Sequence, residues 1–136
     1  MTGVQTCALP ILIALAPVLK YAVKSLKSIG GDIKKAGVTE RAVKRTPVAS
    51  VATLPAMWRT TVASLSSVTQ PVLVFRSAED HVVGPASMKA LITALPGAQV
   101  RPLANSYHVA TLDNDASEIF DGSLAFIRDH VRSQTQ

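Results

Sequence analysis

The chain holds one cysteine, Cys7, which excludes an internal disulfide and any metal site built from several thiolates. Aromatic residues make up 4% of its 136 residues, too few for the platforms on which single-stranded nucleic acid stacks. Its longest apolar run, Ala8 to Leu19, is too short for a membrane span, which needs about 20 residues. There is no internal repeat and no low-complexity tract. What remains is 48% hydrophobic and 17% charged, the composition of a domain that buries a core, and the length allows one small domain at most.

Acids are in the minority, and the formal net charge is +5. The excess is local. Between Lys20 and Arg45 lie eight Lys or Arg against two acids, Asp32 and Glu40, whereas the rest of the chain is close to neutral. A basic segment of this kind suits an anionic partner, although a charge run is more often a solvated face.

The first eleven residues, MTGVQTCALPI, match the translation of a common short-read sequencing adapter with GTG taken as the start codon. A signal peptide is the competing reading, but no basic n-region precedes the apolar run. The expectation is that residues 1–11 are adapter-derived, that Cys7 is then foreign to the natural protein, and that the natural N-terminal region is missing.

Beyond the adapter, Leu15, Leu19, Ala22, Val23, Leu26 and Ile29 recur at spacings of three and four, which predicts a helix over 12–29 ended by Gly30-Gly31. Asp32 to Thr46 is mixed and basic. A second helix is expected from Pro55 to about Ser66, with Met57 and Trp58 packed in its core. From Pro71 to Phe75 the run PVLVF has the continuous apolar, β-branched character of a strand buried on both faces of a parallel sheet. A polar loop, a helix opened by Pro85 and ended at Pro96-Gly97, and a weaker strand over 98–103 follow. A loop over 105–114 leads to a final amphipathic helix over 115–131, where Asp115 and Glu118 have the spacing of a capping box. Strand, helix, strand, helix at these lengths is a βαβα unit with parallel strands.

In open parallel sheets, chemistry gathers beyond the carboxyl ends of the strands. Asp80 lies in the loop leaving the first strand and His108 in the loop leaving the second. Neighbouring strands are about 4.8 Å apart, so groups just past their ends can meet. A carboxylate there can hold the imidazole Nδ1–H and leave Nε2 free to take a proton from a hydroxyl nucleophile.

The segments PVLVFRSAEDHVV and NSYHVATLD resemble the C-terminal half of bacterial carboxylesterases and monoacylglycerol-lipase-type enzymes of the α/β-hydrolase superfamily. The resemblance runs over about 69–131, and GVTERAVKRTPVASV more loosely resembles the helical cap inserted before the acid strand. It implies an α/β fold: the C-terminal βαβα portion of an α/β-hydrolase (69–136), preceded by a helical cap region and following helix (12–68). It also implies that Asp80 is the acid and His108 the base of a Ser-Asp-His triad, with no cofactor and no metal. The nucleophile motif G-x-S-x-G occurs nowhere in the sequence, and the oxyanion-hole loop is likewise absent. The fragment itself is therefore expected to be inactive.

Simpler roles suit the other candidates. Asp113 and Asp115 read as helix-start caps, His81 as a loop or pocket-rim residue, and His130 as a favourable charge at a helix C-terminus. Glu79 is the competing acid. Ser106, beside His108, lacks the strand-to-helix elbow of a nucleophile. Two function classes stand. One is a serine hydrolase acting on a small-molecule ester or lipid, with apolar residues of the 12–29 helix lining an acyl pocket. The other is a non-catalytic basic module that docks Lys20–Arg45 on anionic lipid or nucleic acid. On the first reading no nucleic acid is bound, contact with membranes is peripheral through the basic segment, and a cytoplasmic location is expected.

Overall fold

The computed structural model describes residues 5–28 and 30–133. The half of the chain after residue 69 forms the expected βαβα unit. Strand β3 (Leu73–Ser77) leads through helix α4 (Pro85–Ala94) to strand β4 (Gln99–Leu103), and helix α5 (Ala116–Ser133) follows. β3 and β4 pair in parallel, with Leu73 opposite Gln99 and Ser77 opposite Leu103. Pro85 occupies the first turn of α4, where its missing N–H costs nothing, and the helix closes with Leu95 N–H donating to the Leu91 carbonyl. β3 begins two residues later than the apolar run suggested. Four of its residues are only half-buried and Ser77 alone is buried, so it is not the doubly covered strand that its composition implied.

The first half differs more. Helix α1 (Gln5–Leu19) ends where the sequence pattern continues, and residues 25–27, expected to be helical, form strand β1 (Ser25–Lys27). β1 pairs antiparallel with β2 (Arg45–Pro47), Leu26 facing Thr46. The helical periodicity is overridden by bonds that only the distant partner supplies. Arg45 donates from Nε to Ser25 Oγ at 2.8 Å and from Nη2 to the Ser25 carbonyl at 2.7 Å, and Ser28 Oγ meets Thr46 Oγ1 at 3.1 Å. Gly30-Gly31 therefore opens the β1–β2 loop instead of capping a helix, and Ile29 lies outside the described residues. Two short helices follow, α2 (Val48–Val51) and α3 (Leu54–Ser64), the latter within two residues of its predicted span. α3 buries no residue, and Met57 and Trp58 are 52% and 47% exposed, so neither serves as core. No helix among the described residues is long and apolar enough to cross a membrane.

Among the described residues the buried side chains are as polar as they are apolar. Ala16, Val48 and Leu103 stand beside Ser77, Ser106 and Asp113. Every buried side-chain polar atom among them has a partner. Phe120, Leu124 and Ile127, at helical spacing on α5, remain exposed.

One close approach locks α5 to the sheet. A Cβ at Gly122 would lie 2.7 Å from Arg101 Nη1 and 2.9 Å from Phe75 Cζ, so helix and strand meet only because no side chain intervenes. In Gly122→Val the Phe75 ring must move, and overpacking should outweigh the gain in helix propensity, which is under about 1 kcal/mol. Urea unfolding should show a net loss of about 2 kcal/mol. An unchanged midpoint would mean that α5 does not rest on Phe75.

Candidate active site

The loop after β3 is shaped by Asp80 itself. Its Oδ1 accepts the backbone N–H groups of Val82 (2.9 Å) and Val83 (2.8 Å), a local turn that a short carboxylate side chain is suited to make. The other oxygen, Oδ2, faces two cations or potential cations: Arg76 Nη1 at 2.5 Å and His108 Nδ1 at 3.2 Å. Arg76 also donates to the Val83 carbonyl at 2.7 Å, closing the turn from the other side. A carboxylate only accepts, so the proton of this pair sits on His108 Nδ1, and in the neutral ring Nε2 then carries a lone pair. Burial acts to raise the Asp80 carboxyl, but the bonds from Val83 and Val82 and the contact with His108 outweigh it. The net effect holds Asp80 below its ordinary value of 3.8, ionised at neutral pH.

The loop after β4 is held by two further carboxylates. Asp113 is buried and collects four backbone N–H groups, those of Lys34 (2.7 Å), Lys35 (2.9 Å), Tyr107 (2.9 Å) and Asn114 (2.8 Å). It is thus a clamp between the β1–β2 loop and the His108 loop, and not the helix-start cap expected. Its carboxyl is pushed up by burial, yet the four donors prevail and hold it below 3.8. Asp115 makes no capping box either. Its Oδ2 accepts from Asn105 N–H (2.8 Å) and Ser106 Oγ (3.0 Å), and Ser106 Oγ accepts the Asp115 N–H (2.9 Å). Ser106 is buried in that exchange, which accounts for its not standing open to His108 as a nucleophile. In both cases the carboxylate is occupied by donors from other loop positions: Lys34, Lys35 and Tyr107 for Asp113, Asn105 and Ser106 for Asp115.

Asp80 and His108 are therefore brought together across the β3–β4 pair, on the register that sets Ser77 opposite Leu103. Glu79 is turned away, with its side chain 56% exposed and 3.5 Å from Lys34 Nζ. His130 donates within α5 to the Phe126 carbonyl at 2.7 Å. His81 is more than a rim residue: its ring stands edge-on to Tyr107 at 4.7 Å and its Nδ1 lies 2.7 Å from Asp32 Oδ1. Sequence reasoning missed Arg76 and Asp32. Arg76 had a local signal, its i,i+4 spacing to Asp80. Asp32 had none.

Beside His108 opens a cavity of about 550 Å³, walled by Asp32, Glu40, Phe75, Val82, Val109 and Ile119 among others. Among the described residues its walls come from the β1–β2 loop, β3 and the loop after it, the His108 loop and α5. They do not come from the helix expected to line an acyl pocket. Among the described residues no group of three or more His, Cys, Asp or Glu is arranged to hold a metal.

No protein-family model matches the chain. A curated monoacylglycerol lipase, the thermostable enzyme of Bacillus sp. (strain H-257), is 40% identical over 108 residues, 78% of this chain. The fold also matches a solved structure from the description of two metagenome-derived lipolytic enzymes, LipS and LipT. The TM-score is 0.79 at 39% identity, over 87% of this chain and 49% of that one. The chain is a relative of the lipolytic α/β-hydrolases. It spans 43% of the length of the curated relative it matches. Its βαβα unit is accordingly part of an α/β-hydrolase fold.

The lowered carboxyls give this hydrolase-like chain a defined acid limit. A carboxyl with a depressed folded-state value contributes stability that is complete above its ordinary value and lost as pH falls through the lowered one. The melting temperature should hold down to about pH 4 and fall below it. Asp113→Asn, which cannot serve four donors, should cost about 3 kcal/mol at pH 7 and flatten that acid limb. Thermal melts at several pH values test both, and a variant with the wild-type acid limb would acquit Asp113.

Proposed function

We propose that the chain carries the acid and the base of a serine hydrolase that cleaves carboxylic esters of the carboxylesterase or monoacylglycerol-lipase type. The observation that carries this reading is the His108 Nδ1 to Asp80 Oδ2 contact at 3.2 Å, in consecutive loops of a parallel strand pair. The relatives are lipolytic enzymes, which supports ester or lipid substrates of the same class.

A serine Oγ attacks the ester carbonyl while its proton passes to His108 Nε2, and the imidazolium so formed faces the ionised Asp80. The proton then goes to the departing alcohol. A water activated by the same Nε2 cleaves the acyl-enzyme. Arg76 and the Val82 and Val83 N–H groups keep Asp80 charged throughout, so that it holds the imidazole by attraction and never takes its proton. The cavity beside His108 offers apolar walls at Phe75, Val82 and Ile119 to an acyl chain or alcohol.

The attacking serine and the oxyanion donors belong to no motif in this sequence, so the proposal includes a parent protein longer than 136 residues, of which this chain is an inactive part. In a complete clone, fluorophosphonate labelling and hydrolysis of short-chain p-nitrophenyl esters are expected. His108→Ala should lower kcat/KM by roughly 10⁴-fold. The purified 136-residue chain should show neither labelling nor turnover. Labelling of this chain alone, or full activity in the His108→Ala enzyme, would sink the proposal. An independent DNA read across the junction at residue 11 should encode a G-x-S-x-G turn upstream.

A further inference from the structure

Asp32 belongs to the β1–β2 loop, far in sequence from Asp80 and His108, yet it binds both of their loops. Its Oδ2 accepts the backbone N–H of His108 at 3.1 Å and that of His81 at 3.3 Å. Its Oδ1 lies 2.7 Å from His81 Nδ1, and its own carbonyl accepts the Val109 N–H at 3.1 Å. Gly31, with φ +77°, takes the left-handed turn just before Asp32, a conformation that side chains rarely adopt. The carboxylate thus spans from the residue after Asp80 to His108 itself.

The other anchors of the His108 loop stop one residue short. Asp113 holds the Tyr107 N–H and Ser77 Oγ donates to the Tyr107 carbonyl at 2.7 Å. Neither reaches His108. The Asp80–His108 bond is long for a contact to a carboxylate, which usually closes to about 2.8 Å, so small shifts of either loop decide whether it forms. From these contacts we infer that Asp32 is a positioning residue: it sets the Asp80–His108 geometry by holding the His108 backbone and the His81 ring. This rests on the reading of Asp80 and His108 as acid and base.

The first test uses the 136-residue chain and the ring nitrogen shifts of His108, which report which nitrogen carries the proton. In the wild type, Asp80 should hold the Nδ1–H form. Asp32→Ala should raise the share of the Nε2–H form several-fold in a chain that still melts cooperatively. Ser25→Ala, which removes a bond to Arg45 in the same β1–β2 unit, should leave the ring unchanged. Should Asp32→Ala fail to fold, Asp32→Asn carries the test, because its single side-chain oxygen cannot serve His81 Nδ1 and both backbone donors. A wild-type ring spectrum in the folded Asp32 variant overturns the inference.

The second test uses the complete enzyme, in which Asp32→Ala should lower kcat about 10-fold or more with KM little changed. A shifted tautomer with unchanged kcat would uphold the positioning role and overturn the catalytic reading of the pair.

Discussion

The parallel pairing of β3 and β4 is the constraint on which everything else depends. Its register places Ser77 opposite Leu103, so both strands release their loops at the same level of the sheet. The pairing continues past the strands: Ala78 N–H donates to the Leu103 carbonyl at 2.9 Å, and Ser77 Oγ reaches the Tyr107 carbonyl. A slip of one residue would turn every side chain of one strand to the other face and separate the two loops by a step. The backbone ladder brings the Asp80 and His108 loops level, and the contacts beyond it set how the two side chains meet.

The loops beyond that ladder are organised by carboxylates. Asp80 and Asp113 collect several backbone N–H groups, and Asp115 one, that a long irregular loop would otherwise leave without partners. Asp32 does the same from the β1–β2 loop. A buried carboxylate is costly unless its lone pairs are filled, and here the donors more than offset the burial at Asp80 and Asp113. The same bonds that order the loops keep the acid of the candidate pair ionised, so stability and chemistry draw on one set of contacts.

How far the sequence could be read depended on where each element finds its partners. α4 and α5 were legible because Pro85, Pro96-Gly97 and the apolar spacing act within a few residues of themselves. β3 and β4 were legible, with ends shifted by one or two residues, whereas β2 was not. Ser25–Lys27 was not, since its helical spacing yields to Arg45, a residue twenty positions away. Met57 and Trp58 show the opposite limit: apolar side chains have a preference for burial, but on α3 both stay about half exposed.

The sequence by itself determined the βαβα order, the placement of Asp80 and His108 after consecutive strands, and the resemblance to lipolytic hydrolases. Each of these is carried by residue types at short range or by a motif that can be matched as text. Only the tertiary structure decided that Asp113 clamps two loops instead of capping a helix, that Ser106 is spent on Asp115, and that Asp32 touches His81 and His108. Those contacts join residues up to 79 positions apart. A carboxylate takes whichever donors folding delivers, and no spacing in the sequence records which ones those are.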